Sequence, residues 1–298
     1  MRPIFNMVVG LPGSGKSTFI QERALEEDVV CSSDAIREEL FGSAGDAVNT
    51  KKNNELVFQT LHKRVKDALM ARKNVWYDAT NINRKKRMQF LQEINNIDCY
   101  KDCWIIATPF FRCLQNNKER DRVVPEEVIY KMRERWETPY FFEGWDAIIL
   151  KHLFNERYDV IDTLGYLMEF DQKNPHHAMT LGQHLFDTAA NLNPYSDGIL
   201  VRAALLHDIG KEYTQTFVNS KGEIDNKAHY YNHDNVGAYE TLMYQNLGDP
   251  LLVSILVNLH MKPYDWDEEK TKEKYRKLWG DELFNMVMVL HEADKNAH

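Results

Sequence analysis

The sequence divides into a parallel α/β half over residues 1–170 and an all-α half over residues 171–298, and three observations predict this. Short apolar runs alternate with amphipathic stretches in the first half, the pattern of a parallel sheet wrapped by helices. The second half repeats apolar residues at i, i+3 and i+4, with no strand run apart from Thr216–Val218 beside the Gly222 turn. Between the halves, Lys173-Asn174-Pro175 interrupts the pattern, because the residue before a proline disfavours helix. At 298 residues the chain exceeds the usual domain size, so two units of roughly 125–170 residues, each able to bury a core, are expected.

Taken in order, Ile4–Val9 is an apolar run that turns into a glycine loop, and Asp28–Cys31, Asn74–Tyr77, Asp102–Ala107 and Tyr158–Ile161 are the further strand candidates. Amphipathic stretches at Lys51–Arg72, Arg84–Ile94 and Glu126–Arg135 supply the helices between them. In the second half Thr180–Leu192, Ile199–His207, Asn235–Gln245, Leu251–His260, Glu268–Trp279 and Asp281–Asn296 read as helices. Within this half, Gly210 stands where a helix-terminating glycine is favoured.

Composition excludes several classes. No run approaches the roughly 18–20 apolar residues of a membrane span, and the start MRPIFNMVVG turns into a strand and glycine loop rather than a leader peptide. A cytoplasmic protein with no membrane partner is expected. Cys31, Cys99, Cys103 and Cys113 form no Cys-x-x-Cys pair, so reduced thiols are expected rather than a disulfide framework or zinc ribbon. Residues 1–170 carry 25 Lys/Arg and 26 Asp/Glu, whereas residues 171–298 carry 12 and 19. Nonspecific nucleic-acid binding comes from cation–phosphate contacts, so any polynucleotide contact is local and belongs to the first half. Nine of the eleven histidines follow residue 170, an enrichment of the kind a metal site produces.

Gly10-Leu-Pro-Gly13-Ser14-Gly15-Lys16-Ser17-Thr18 satisfies the Walker A pattern after an apolar strand and before a helical stretch. Its glycines let backbone amides wrap phosphate oxygens, Lys16 neutralises β/γ charge on ATP, and Ser17 can hold Mg²⁺. Further on, Ser32-Ser33-Asp34 ends a strand with Arg37 one turn away. Asp34 can take a hydroxyl proton while Arg37 grips an acceptor phosphate; an N-cap Asp with a surface Arg reads the same residues equally well. Asp78, Thr80, Asn81 and Arg84 cluster at a second polar strand end. Arg120 and Arg122 precede Val124-Pro125, either as a lid carrying charge to a transferring phosphoryl group or as a plain charged helix face.

These four segments together resemble the polynucleotide 5′-kinase family of P-loop phosphotransferases, over roughly residues 3–165. The resemblance implies Lys16 and Ser17 on ATP and Mg²⁺, Asp34 as general base for a 5′-hydroxyl and Arg37 on the acceptor's phosphate. It implies Asp78, Thr80 and Asn81 in the acceptor pocket, and Arg120 and Arg122 as lid residues. One departure is Asn116-Asn117, where such lids often read Arg-Asn.

In the second half, His207-Asp208 ends an apolar helical run; His184 lies on the preceding helix, His233 precedes Val236-Gly237-Ala238, His260 ends another helix and Asp294 sits on the last. A carboxylate on a core-facing stripe is costly unless paired or bound to metal, so these groups read as a metal site. Imidazole and carboxylate ligands suit a transition metal or Mg²⁺, with Asp208 placed to bridge two ions and Lys211 to neutralise a phosphate. The spacing resembles the HD phosphohydrolase superfamily over roughly residues 172–298. That resemblance implies His184, His207, Asp208 and Asp294 around one ion and Asp208, His233 and His260 around a second, the ions being Mn²⁺, Ni²⁺, Co²⁺ or Mg²⁺. His229 competes as a ligand, while His176, His177 and His291 are expected to be structural and His298 terminal.

The leading expectation is a bifunctional end-healing enzyme that phosphorylates 5′-OH ends of RNA or DNA and removes a 3′-phosphate or opens a 2′,3′-cyclic phosphate, with a ligase supplied by another chain. A nucleoside or metabolite kinase fused to a nucleotidase is the alternative within enzymes, and a non-catalytic ATP sensor the alternative outside them.

Overall fold

The computed structural model describes residues 2–42, 50–120, 122–175, 178–266 and 268–297. His176, His177 and His298 lie outside the described residues. The chain forms two compact units, Met1–Tyr130 with Pro139–Phe154 and Lys131–Thr138 with Asn155–His298. The division therefore falls at Phe154/Asn155, against the expected 170/171, and a short segment of the first half belongs to the second unit.

In the first unit β1 (Ile4–Val9), β2 (Val29–Ser32), β3 (Val75–Asp78), β4 (Tyr100–Ala107) and β5 (Ala147–His152) form one sheet in the order β2-β3-β1-β4-β5, with every neighbouring pair parallel. The helices are α1 (Lys16–Arg23), α2 (Ser33–Phe41), α3 (Lys51–Met70), α4 (Arg84–Glu93), α5 (Phe110–Lys118) and α6 (Glu126–Arg133). β1 is buried on both faces by these helices, which is why its sequence is a continuous apolar run. The strand expected at Tyr158–Ile161 is instead the start of α7 (Val160–Leu167), capped by Asp159, whose side chain accepts from Ile161 N. The fifth strand is formed by Ala147–His152, whose Ala-Ile-Ile-Leu start carries the β-prone residues. In a parallel sheet all C-terminal strand ends share one edge, and ligands gather there.

A buried ion pair joins α4 to the segment before β5. Arg87 and Glu143 form a two-pronged pair at 2.7 and 2.6 Å, and Arg87 Nη1 donates to the Asn81 carbonyl at 2.9 Å. Trp145 Nε1 donates to the same carboxylate at 3.1 Å. Removing one charge of such a pair strands the other, at a cost of about 3–5 kcal/mol. Glu143→Gln is therefore expected to lower unfolding stability by that order in urea denaturation, with a visible loss of the first unit's cooperativity.

The second unit continues with α8 (Leu181–Ala190), α9 (Gly198–Leu206), α10 (Lys211–Thr214), α11 (His233–Thr241), α12 (Pro250–Leu259), α13 (Glu269–Trp279) and α14 (Asp281–Lys295). One departure from an all-helical unit is the antiparallel pair β6 (Gln215–Val218) and β7 (Ile224–Tyr230) around Gly222. Gly210 is right-handed, φ −63°, so it does not end a helix in the left-handed conformation. Its requirement is steric: a Cβ there would lie 2.0 Å from the His233 carbonyl oxygen and 2.6 Å from Gly237 N. The borrowed segment 131–138 is built into this unit's core. Trp136 is 0% exposed and meets Tyr239 edge-on at 5.0 Å. Thr138 Oγ1 lies 2.7 Å from Ser254 Oγ, and Asn258 Nδ2 donates to the Trp136 carbonyl at 3.3 Å.

Candidate active sites of the two units

The loop after β1 needs two of its glycines for conformation. Gly13 has φ +75° and Gly15 φ +91°, a region that other residues rarely enter, and a Cβ on Gly13 would lie 2.1 Å from the Cys113 carbonyl oxygen. Thr108 Oγ1 donates to the Ser14 carbonyl at 2.8 Å and Asn116 Nδ2 to the Gly13 carbonyl at 2.9 Å. The loop is thus braced through its carbonyls, leaving the orphan amides of the first turn of α1 for an anion. Lys16 is buried, with Nζ 2.7 Å from the Leu11 carbonyl and 3.5 Å from Ser14 Oγ. Burial lowers its pKa and Asp78 partly restores it; a buried ammonium held by neutral oxygens is a strong phosphate site. Thr18 is exposed on α1.

Asp78 ends β3 and accepts the Ser17 hydroxyl at 2.8 Å. Its carboxylate is thereby placed on the residue expected to hold Mg²⁺, rather than toward an acceptor. Asn81, left-handed at φ +51°, donates to the Val8 carbonyl at 2.8 Å and the Ala79 carbonyl at 3.3 Å, and the Thr80 carbonyl accepts from Gly10 N at 3.1 Å. These contacts make Asn81 and Thr80 braces between β1 and the turn after β3.

The cap of α2 is Ser32, whose side chain accepts from Ala35 N, so Asp34 stands inside the first turn with no capping duty. A carboxylate there is favoured by the helix dipole. Arg120 Nη2 lies 3.1 Å from Asp34 Oδ2 and Arg122 Nη1 2.5 Å from Oδ1. Both arginines belong to the connection between α5 and α6 rather than to a helix face. Asn117 clasps the base of that connection: its Nδ2 donates to the Val124 carbonyl at 2.7 Å and its Oδ1 accepts from Val124 N at 3.0 Å. Asn116 and Asn117 therefore act on backbone, one holding the phosphate loop and the other closing the base of the α5–α6 connection. Arg37 Nη1 donates to Asn54 Oδ1 at 2.9 Å, while its buried Nε has no hydrogen-bond partner. Burial lowers its pKa, Arg122 adds to that and Asp34 opposes it.

In the second unit six side chains converge. His184 comes from α8, His207 and Asp208 from the turn after α9, His233 from the start of α11, His260 from the end of α12 and Asp294 from α14. Asp208 faces both ways: Oδ2 lies 3.5 Å from Nε2 of both His184 and His207, and Oδ1 lies 3.1 Å from His233 Nε2 and 3.5 Å from His260 Nε2. Asp294 Oδ1 completes the first set at 3.1 Å from His184 and 3.3 Å from His207.

The tautomers are fixed by backbone. His207 Nδ1 lies 2.9 Å from the Ala204 carbonyl, His233 Nδ1 2.7 Å from Tyr230 O and His260 Nδ1 2.7 Å from Val257 O. A carbonyl can only accept, so each Nδ1 carries the proton and each Nε2 presents its lone pair inward, as metal-ligating histidines do. The buried Nε2 atoms of His233 and His260 form no hydrogen bond. Burial opposes charge on His184 and His260, but Asp208 and Asp294 override it, pushing His184 up to about 9. Burial likewise opposes ionisation of Asp208, yet Lys211 and His207 hold it well below the usual carboxylate range. Two clustered carboxylates that draw protons onto histidines are demanding cations, and the donor set His, His, Asp, Asp on one side and Asp, His, His on the other fits two divalent ions.

Two family models match the chain, an AAA domain over residues 6–139 and an HD domain over residues 176–297. The chain fuses an AAA-type P-loop domain to an HD domain. Among curated proteins, L-seryl-tRNA(Sec) kinase of Methanococcus maripaludis is 26% identical over 172 residues, covering 56% of this chain. The match spans 65% of that kinase's length. Among solved structures, a chain of the Pnkp1/Rnl/Hen1 RNA repair complex is 23% identical, covering 45% of this chain and 44% of its own, with TM-score 0.38. A gluconokinase from Sinorhizobium meliloti 1021 is 17% identical, covering 52% and 86%, with TM-score 0.36. No helix among the described residues is long and apolar enough to cross a membrane.

In the HD domain Lys211 lies against the donor set itself: Nζ is 2.7 Å from Asp208 Oδ2 and 3.0 Å from Gln172 Oε1. His229 pairs with Asp225 at 3.0 Å and joins neither ligand set. His291 packs edge-on against Tyr264 at 4.5 Å. Tyr264 itself donates to Asp294 Oδ2 at 2.9 Å, orienting that carboxylate so that Oδ1 faces the histidines. No sequence pattern marks Tyr264 or Gln172, because one reaches the site from a short 3-10 helix (Lys262–Asp265) and the other from irregular backbone. In the AAA domain the Ser17–Asp78 contact was findable, since an acidic residue at the end of the strand beside a phosphate loop is a common Mg²⁺ partner.

Proposed function

We propose that the protein heals nucleic-acid ends, phosphorylating a 5′-hydroxyl in its AAA domain and hydrolysing a 3′-phosphate or 2′,3′-cyclic phosphate in its HD domain. The observation that carries this reading is the pairing, in one chain, of an uncapped carboxylate beside a phosphate loop with a carboxylate-centred donor set for two cations. The first chemistry makes a phosphoester from a hydroxyl and the second cleaves one. Nuclease products of the 5′-OH and 3′-phosphate type need both before a ligase, from another chain, can act.

In the transfer step Lys16 and the first-turn amides of α1 hold the β- and γ-phosphates of ATP, and Ser17 with Asp78 holds Mg²⁺. Asp34 takes the proton from the 5′-hydroxyl as its oxygen bonds to the γ-phosphorus and the bond to the β-phosphate oxygen breaks, releasing ADP. Arg37 holds an acceptor phosphate. Arg120 and Arg122 leave Asp34 for the transferring phosphoryl group, where charge develops. In the HD domain His184, His207, Asp208 and Asp294 would hold one divalent ion and Asp208, His233 and His260 a second. Such ions supply Lewis-acid polarisation of a phosphoester and an activated water. Lys211 neutralises charge next to the Asp208 carboxylate shared by both donor sets, and Tyr264 orients Asp294.

The test is an end-group assay on an RNA bearing a 5′-hydroxyl and a 2′,3′-cyclic phosphate. Lys16→Ala is expected to abolish 5′-phosphorylation and spare the 3′ reaction, and Asp208→Ala to do the reverse. Label transferred only to nucleosides overturns the reading. A second acceptor is favoured by the 26% identical relative, a kinase of L-seryl-tRNA(Sec); the same assay with seryl-tRNA separates an aminoacyl hydroxyl from a 5′ end.

A further inference from the structure

The short 3-10 helix Lys262–Asp265 follows His260, a member of the second donor set, and carries Tyr264 to Asp294, a member of the first. Tyr264 donates its hydroxyl to Asp294 Oδ2 at 2.9 Å, and its ring meets His291, one turn earlier on α14, edge-on at 4.5 Å. The segment is firmly seated on either side of this residue. Pro263 is buried, and Trp266, 8% exposed, stacks on Tyr275 of α13 at 4.9 Å and on Phe284 of α14 at 5.7 Å. Tyr264 itself is 46% exposed.

The hydroxyl contact accounts for the tip of this side chain and not for its open ring. Trp266, two residues on, shows that the same segment buries an aromatic where packing is the purpose. Of the six donors, Asp294 and His233 are the most exposed side chains, at 11% and 10%, so a ligand arriving from solvent passes one or the other. On the His233 side the exposed ring of Tyr231 is already stacked on His229 at 5.6 Å. On the Asp294 side the Tyr264 ring is fixed by its own hydroxyl, so its rotamer freedom is lost before any ligand binds, and every base has a π-face that can stack on such a ring. We infer that the Tyr264 ring receives the base of the nucleotide whose phosphoester lies at the donor set. The HD domain then selects nucleotide 3′ ends over phosphoesters that carry no base.

This selection rests on the end-healing reading, and the experiment keeps the two apart. The full chain, at saturating Mn²⁺, is given two oligonucleotides ending in a 3′-phosphate, identical except that one lacks the base of its last nucleotide, and phosphate release is measured. The strand with the base is expected to show a KM about five- to hundredfold lower. Tyr264→Leu, which removes the ring, is expected to bring the two KM values together. Tyr264→Phe keeps the ring and is expected to retain the difference, while loss of the hydroxyl weakens Mn²⁺ binding about 10–100-fold by calorimetry. Thermal melting by circular dichroism reports whether each variant is folded. Equal KM values for the two strands in the wild type, or a difference that survives in Tyr264→Leu, overturn the base platform and leave end healing intact. Phosphate released from free nucleoside monophosphates and from neither strand overturns the end-healing reading. The same two variants, given the monophosphate and its base-free ribose phosphate, then decide the role of the ring.

Discussion

Asp34→Asn is expected to lower kinase turnover by about 10²–10⁴-fold, the range for loss of a general base, with ATP still bound. The structure sharpens this beyond a loss of activity. Asp34 has no cap to make, since Ser32 holds that position, so the amide does not unravel α2. The variant also releases Arg120 and Arg122, which lie 3.1 and 2.5 Å from the carboxylate. Exposed ion pairs contribute only about 0–1 kcal/mol each, so ATP is expected to bind as tightly as in the wild type, or up to a few-fold tighter. Rapid-quench turnover and equilibrium dialysis measure the two effects separately. Turnover within threefold of the wild type would show that Asp34 does not take the proton, and weakened ATP binding would show that the arginines do not move between carboxylate and nucleotide.

The second large effect concerns where the HD domain begins. A fragment starting at residue 171 lacks Trp136, which is 0% exposed in the chain and packs on Tyr239 of that unit. Truncating a buried Trp to Ala alone costs about 3–5 kcal/mol, a large part of the roughly 5–15 kcal/mol by which domains are stable. Losing Thr138 as well leaves Ser254 and Asn258 without their contacts to it. The fragment 171–298 is therefore expected to show no cooperative thermal transition by circular dichroism, whereas one starting at Lys131 melts cooperatively. A sharp transition in the shorter fragment would show that 131–138 is an accessory rather than core.

These two cases also show what could be read from the residues in advance. Four strands and the long helices were legible because a buried parallel strand is an apolar run and a surface helix repeats every three to four residues. The fifth strand was not: Ala147–Leu150 is the more apolar run, yet the Val160-Ile161 pair also reads as a strand, and the capping duty of Asp159 there shows only in three dimensions. The HD residues were legible since His and Asp on apolar stripes are costly without a cation. Asp78 and Asn81 were harder: both belong to one short polar run, yet one meets Ser17 and the other braces Val8. Motif spacing cannot distinguish a side chain pointing at substrate from one bonded to backbone. Trp136 was illegible for another reason, since nothing local says which core a tryptophan at the end of a charged helix will enter.

The contact of Gly210 with the His233 carbonyl and Gly237 amide makes these two residues a spacer gauge. His207 and Asp208 stand just before Gly210, and His233 opens the helix that holds Gly237. The separation between the two halves of the donor set is thus written into backbone on backbone, outside the ligands themselves. Gly210→Ala is expected to wedge the halves apart, so that calorimetry counts one bound Mn²⁺ per HD domain where two are expected for the native chain. Nuclearity in this fold would then be governed by a methyl group that no coordination diagram includes.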